Sequence, residues 1–449
     1  MGTPTRRATT TRWPAAARWA AAAVALAASL APARAPAAPP PTTYSVDYVV
    51  GIDPARPGVA RVGWRLAGID EIEGFRLVFR DARASGVRGS GRLDRQGRSV
   101  AWTPGGPYAH LEYEVAIDRR RGAGGYDSYA AADWVATRAR HLFPEIHVRF
   151  RPGADAARSR ARLRFELPDG WRSEAPYDRL GEHVFHVVEP GKKLDRPRGW
   201  FLLGRIGVER LRIAGAEVAV ATAPGSALDL PRLVRFWRRT MPLLVPLLGP
   251  PPPRLLLVSA PDPMWRGGLS AEASMYVNAA VPLRSSDQTS TYLHELVHVW
   301  QPFQPTPDGR WASEGLAEYA SLLLQRRAGL LDADRFARGV ALLGRQGRWG
   351  EDLSRTRSPR ALNNDAPMVL AALDVEIRRA SDGRRGLDDA IRALADAGGP
   401  LTTARLLGAA SRAAGRDLTP FFRRHVLRGE RPVLPEGALA SLPGPAVVR

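Results

Sequence analysis

From Thr43 to about Val220, apolar and polar residues alternate with a period of two in short runs such as YSVDYVV, GFRLVF, HLEYEVAI, IHVRF, ARLRFEL, HVFHVV and VAVATA. Turn-forming stretches, among them PDG, GPY and PGK, separate the runs. Alternation at period two lines one face of a strand with core residues, and many short strands between regular turns predict an all-β, sandwich-like domain. His183 and His186 fall at odd spacing on one such run, on opposite faces of the sheet, and read as structural.

After about Ala223 the period changes. LDLPRLVRFWRRTMPLLVPLLG predicts an amphipathic helix from Asp229 towards Leu248, closed by Gly249 and the prolines at 250–253. RLLLVSA and SMYVNAAVPL read as buried strands. In SSDQTSTYLHELVHVWQPFQP, Leu293, Leu296, Val297 and Trp300 recur at helical spacing, with Asp287 as the expected N-cap and Pro302 as the stop. RWASEGLAEYASLLLQRRAG gives a second helix ending near Gly329. Helical patterns then follow one another from Asp332 to about Arg428, without a repeated motif.

The helix around residue 294 carries the chemistry. His294 and His298 lie four apart, hence one turn apart on one face, which is the bite a single metal ion needs. The chain has only eight histidines and no cysteine, so disulfides, thiol catalysis and thiolate ligands are excluded and any metal must be held by His and carboxylate. A catalytic zinc takes three protein ligands and leaves one position open. If the two helices form an antiparallel hairpin, Glu314 lies level with His298 and supplies the third ligand, while Glu318 lies level with His294 as its outer partner. Glu295, beside the ion without the direction to ligate it, is the expected general base. Gln301 and Gln304 stand where a metzincin would need its glycine and third histidine, which excludes that class.

The formal charge of +20 changes the picture little, because the arginines are spread over every segment and lack interleaved aromatics, so nucleic acid is not an expected partner. The first 38 residues differ from the rest: Arg6, Arg7, Arg12 and Arg18 precede a short apolar run from Trp19 to Ala31 and then small residues. This pattern predicts a cleaved signal peptide, export to the periplasm or beyond, and no stable membrane span afterwards.

Together the stretches HELVHVWQ, WASEGLAEY, GGLSAEASMYV, the helical VLAALDVEIRRASDGRRGLDDAIRALAD and DLTPFFRRHVLRGERPVLP resemble gluzincin zinc metallopeptidases, nearest the bacterial glycyl aminopeptidase family, with aminopeptidase N as a more distant cousin. LPDGWR and KLDRPRGWFLLG extend the resemblance into the β-rich part. The resemblance implies a multidomain α+β chain. Its parts would be a β-sandwich-like domain over 39–222, a thermolysin-like catalytic domain over 223–331, an all-helical domain over 332–430 and a tail over 431–449, after a signal peptide over 1–38. It also implies Zn2+ as cofactor, a peptide or protein substrate, and an edge strand opened by Gly267 and Gly268 along which the peptide pairs.

Two departures from the family pattern stand out. The glutamate that would hold a substrate's free amine is displaced, with Glu272 the nearest candidate. The oxyanion-stabilising tyrosine is replaced within LNNDAP, where Asn363 or Asn364 occupies its place; Tyr276 and Tyr319 are the other candidates. The family's PDZ module is expected to be missing. The sequence therefore supports an exported zinc aminopeptidase. The alternatives are a catalytically impaired relative that binds peptides or envelope partners, and a non-peptidase hydrolase using the same ion.

Overall fold

A computed structural model describes residues 43–439, together with Leu442 and Gly444. The expected signal peptide lies outside the described residues. The period-two runs form strands as their alternation requires. Thr43–Ile52 buries Tyr44, Val46, Tyr48 and Val50, pairs in parallel with Arg158–Glu166, and pairs antiparallel with Val59–Ala67. These belong to a seven-stranded sheet, which shares one core with a four-stranded sheet through Trp64 and Trp102 and with a five-stranded sheet through Phe165 and Phe201.

A second five-stranded sheet carries the functional region, in the order Gly207–Ile213, Ala216–Thr222, Arg254–Ala260, Ser274–Asn278, Gly268–Ala271. Ala216–Thr222, Arg254–Ala260 and Ser274–Asn278 run parallel. The crossover between the first two contains the helix Leu230–Thr240, whose N-cap Asp229 accepts a hydrogen bond from the Arg232 amide at 2.9 Å. The first two strands of this sheet lie before residue 222, on the N-terminal side of the expected boundary. Period two identifies a strand but not its partner; here the partner of Ala216–Thr222 is Arg254–Ala260, buried at every residue but the first.

A small third cluster joins the two halves. Trp134, Ala136, Trp200 and Leu202 of the N-terminal part pack with Ala221, Leu256, Val258 and Tyr276 of the second sheet. On the other face of that sheet the helices share a single core that runs from Val218 and Leu257 through Leu293, Leu316 and Val369 to Leu406 and Phe422. Residues on both sides of position 331 belong to it. The cause is the helix Arg310–Arg327, which buries residues on nearly every face and so must be covered all round.

The helix holding His294 spans Thr291–Trp300, with Ser290 rather than Asp287 at its N-cap. Asp287 instead closes the preceding turn, accepting from the amide and hydroxyl of Thr289 at 3.0 and 2.7 Å. Among the described residues no helix is long and apolar enough to cross a membrane.

Behind the Arg310–Arg327 helix a buried polar network ties three helices together. Asp374 accepts from the Tyr319 hydroxyl at 2.8 Å and from the Leu387 amide at 2.9 Å, and pairs with Arg378 at 3.0 Å. Tyr319→Phe leaves a buried carboxylate oxygen without its donor. The variant should lose about 1–3 kcal/mol in urea denaturation, with metal content unchanged.

Candidate metal centre and catalytic cleft

Leu293, Leu296, Val297 and Trp300 anchor their helix in the core, and the opposing helix contributes Leu316, Ala317 and Ala320. Because these apolar faces meet antiparallel, position 298 faces 314 and position 294 faces 318. The His294 and His298 Nε2 atoms lie 3.1 Å apart. Glu314 Oε2 lies 3.3 Å from the Nε2 of His298 and 3.6 Å from that of His294. Four-coordinate zinc with bonds of about 2.0–2.1 Å sets its ligands about 3.3 Å apart, so these three atoms match three corners of one coordination sphere. Among the described residues they form the sole group of three or more such side chains close enough to hold an ion.

The electrostatics agree with the geometry. Burial works against a charged Glu314, but hydrogen bonds from His294 and His298 outweigh it and hold the carboxyl far below the ordinary range. Burial likewise opposes a proton on His294, yet Glu314 and Glu318 more than compensate and raise its pKa well above the usual value. Such a trio attracts positive charge to its centre, either as a proton or as a cation. His294 Nδ1 lies 2.5 Å from Glu318, which orients the ring with Nε2 towards Glu314. On the other ring the outer contact is weaker: His298 Nδ1 is 3.5 Å from Ser313 Oγ, and Ser313 is itself held by Gln301 at 3.0 Å.

Glu295 is buried and does not join the trio. Its side chain lies against the edge strand Gly268–Ala271: a Cβ added at Gly268 would come within 2.5 Å of Glu295 Cγ and 2.8 Å of its Oε1. Gly268 is thus a glycine because the expected general base fills the space where a side chain would be. Gly267 accepts from the Asn278 amide at 3.0 Å, and the antiparallel register sets Leu269 opposite Tyr276 and Ala271 opposite Ser274. By the alternation of an antiparallel ladder, the backbone groups of Gly268 and Ser270 turn away from the sheet, where an extended peptide can pair.

The other expected site residues are placed differently. Glu272 follows the edge strand and pairs with Arg198 through one oxygen, Oε1, at 2.6 Å. Asn363 and Asn364 lie on a π-helical turn, Ala361–Asp365, leading into the helix Ala366–Ala380. That turn packs beside the metal helices, since a Cβ on Gly315 would meet Ala366 at 2.9 Å. Asn363 is exposed, and Asn364 donates to the Arg360 carbonyl at 2.9 Å. Among the described residues no hydrogen bond joins either amide to the trio. Tyr276 and Tyr319 are core aromatics whose hydroxyls are taken by the Trp265 carbonyl and by Asp374. His183 meets Ser173 at 3.0 Å, apart from any metal group. Ser313, Gln301 and the Gly268–Glu295 contact had no local sequence signal, because each depends on two segments meeting in space.

With this geometry in place, the fold is that of zinc metallopeptidases of the aminopeptidase N type. An aminopeptidase N family protein from Idiomarina loihiensis superposes with a TM-score of 0.69 at 14% identity, over 88% of this chain and 77% of the other. An M1 zinc metallopeptidase from Deinococcus radiodurans gives 0.58 at 17%, over 88% and 95%, and aminopeptidase A from Legionella pneumophila gives 0.54 at 13%, over 87% and 50%. No family model matches the sequence, and no curated protein matches it.

Two substitutions probe the site. Glu318→Gln weakens the acceptor that orients His294 and should lower zinc affinity about 10–100-fold in a chelator competition. Gly268→Ala pushes Glu295 aside and should lower kcat about a hundredfold, with zinc stoichiometry measured by atomic absorption unchanged.

Proposed function

We propose that this chain is a zinc-dependent peptidase, of the aminopeptidase type that its structural neighbours represent, acting after export. The observation that carries the reading is Glu295. A structural metal site needs no general base, whereas here a buried carboxylate sits between the ligand helix and the strand on which a peptide would pair.

His294, His298 and Glu314 would hold Zn2+. When bound, the ion polarises a carbonyl and makes a nearby water more acidic. The protein's own groups do the rest. Gly268 and Ser270 align the substrate backbone along the edge strand, which sets the scissile bond beside Glu295. Glu295 accepts a proton from the attacking water and passes it to the leaving amine. The helix pair and the edge strand fix Glu295 on two sides, so little reorganisation accompanies that transfer. A mutant form of the Deinococcus enzyme holds a Tyr-Ser-Ala substrate, consistent with short peptides as the substrate class. The charged run before the apolar stretch at 19–31 supports export.

The test compares wild type with Glu295→Gln and His294→Ala on short peptides with free or blocked amino termini. Glu295→Gln should keep about one zinc and lose on the order of 10²–10⁴ in kcat, while His294→Ala should lose the metal itself. Cleavage of free-amine peptides alone supports the aminopeptidase reading, and cleavage of blocked ones makes the enzyme an endopeptidase. A zinc-loaded wild type inert on every peptide would leave a peptide-binding relative.

A further inference from the structure

The arginines that look scattered in the sequence are gathered in space. At the end of the edge strand lies a cavity of about 290 Å³, lined on one side by Ser270, Ala271 and Glu272 and on the other by five arginines, Arg80, Arg138, Arg140, Arg196 and Arg198, with Asp81 and Glu145 among them. It shares Arg80, Asp81 and Arg140 with a neighbouring cavity of about 510 Å³ that eight arginines line against Asp81 and Asp127. Asp127 serves four basic groups at once: Arg138 at 3.2 Å, Arg140 at 3.4 Å, His141 at 3.8 Å and Arg121 at 3.9 Å. Burial pushes His141 down to about 3, so it is neutral, while the three guanidiniums share Asp127, with Asp81 a second partner 3.8 Å from Arg140.

Arg138 is the member that faces the chemistry. It is 7% exposed, its Nε lies beside Asp127 without hydrogen-bonding geometry, and among the described residues its terminal nitrogens make no hydrogen bond. Its guanidinium lies over the Trp200 ring at 4.8 Å, and the Trp200 indole donates to the Leu269 carbonyl of the edge strand at 2.9 Å. One tryptophan therefore fixes a buried cation in register with the strand that would hold the substrate. The carboxylate of Glu272 pairs with Arg198, which also meets Glu189, and Glu145 pairs with Arg80. A free ammonium placed here would meet arginines; a carboxylate would meet unsatisfied donors.

We propose that this cavity receives substrate carboxylates, so that the site prefers acidic peptides. The inference rests on the peptidase reading for the position of the scissile bond. With that bond beside Glu295 and Gly268, and about 3.3 Å per extended residue, the side chains reaching Ser270 to Glu272 stand two to four residues away.

The experiment uses the full-length protein and a peptide series in which Asp replaces Asn singly at positions two, three and four from the cleaved bond. Wild type should favour an Asp peptide at one or more of these positions by about tenfold in kcat/KM, chiefly through KM, and the preference should shrink as salt rises. In Arg138→Gln the Asp-to-Asn ratio should fall towards one. Arg140→Gln, at a half-exposed position, should reduce the ratio and serves if the first variant fails to fold. Equal rates for Asp and Asn peptides at all three positions, or a ratio unchanged in the soluble variants, overturns the proposal. If no peptide is cleaved, the peptidase reading fails separately, and Kd values measured on Glu295→Gln decide the cavity: an Asp preference lost on removing Arg138 upholds it, and equal Kd values overturn it. Heparin binding without Asp selectivity would mark a general polyanion surface and likewise overturn it.

Discussion

The structure turns on the antiparallel packing of two helices that brings a carboxylate to within 3.6 Å of two imidazoles. Polar groups taken out of water are costly unless they are partnered. Here each partner depends on the others: Glu314 stays charged through hydrogen bonds from both rings, and His294 is turned the right way by Glu318. The apolar residues on the inner faces, Leu293 and Val297 against Leu316 and Ala320, hold the register that makes this possible. A slip of one helix past the other by a turn would separate all four polar groups at once. The single core that encloses the Arg310–Arg327 helix therefore positions the centre as well as stabilising the chain.

Much of that centre was readable in the sequence because its rule is local. The four-residue interval between His294 and His298 fixes their common face, and the short connection to the next helix makes an antiparallel pairing and the 298–314 and 294–318 matches follow. The general position of the β-rich segment was readable for the same reason, since alternation needs no knowledge of partners. Where partners decide, the sequence fell short. Gly207–Ile213 and Ala216–Thr222 look like their predecessors, but the second of them pairs with Arg254–Ala260. Asp287 has the right chemistry for a cap three residues too early. Asn364 stands near the metal helices but spends its amide on its own turn.

The edge strand has two ends of opposite character, which no run of residues announces. At Gly268 the absence of a side chain admits the carboxylate of Glu295 to the edge strand. Four residues on, Glu272 pairs with Arg198, and five arginines stand around it among the carboxylates Asp81 and Glu145. The resemblance to glycyl aminopeptidases led to an amine-holding glutamate in this neighbourhood. Glu272 meets Arg198 through one oxygen, Oε1, at 2.6 Å, so the arginine stands beside any ammonium that the same carboxylate would hold.

Trp200 explains how the N-terminal part enters the chemistry. Its backbone amide donates to Ser274 Oγ, its indole donates to the Leu269 carbonyl, and its ring supports Arg138. Ser274 and Leu269 lie in the functional sheet, whereas Arg138 and Trp200 come from adjacent strands of the N-terminal part. The tryptophan lies fully buried in the cluster that joins the two sheets. A rigid aromatic with donors at both ends thereby sets the distance between the arginine cavity and the edge strand Gly268–Ala271. The β-rich part is then more than a support for the metal helices: Arg138 and Trp200 of that part line or support the cavity at the end of the edge strand.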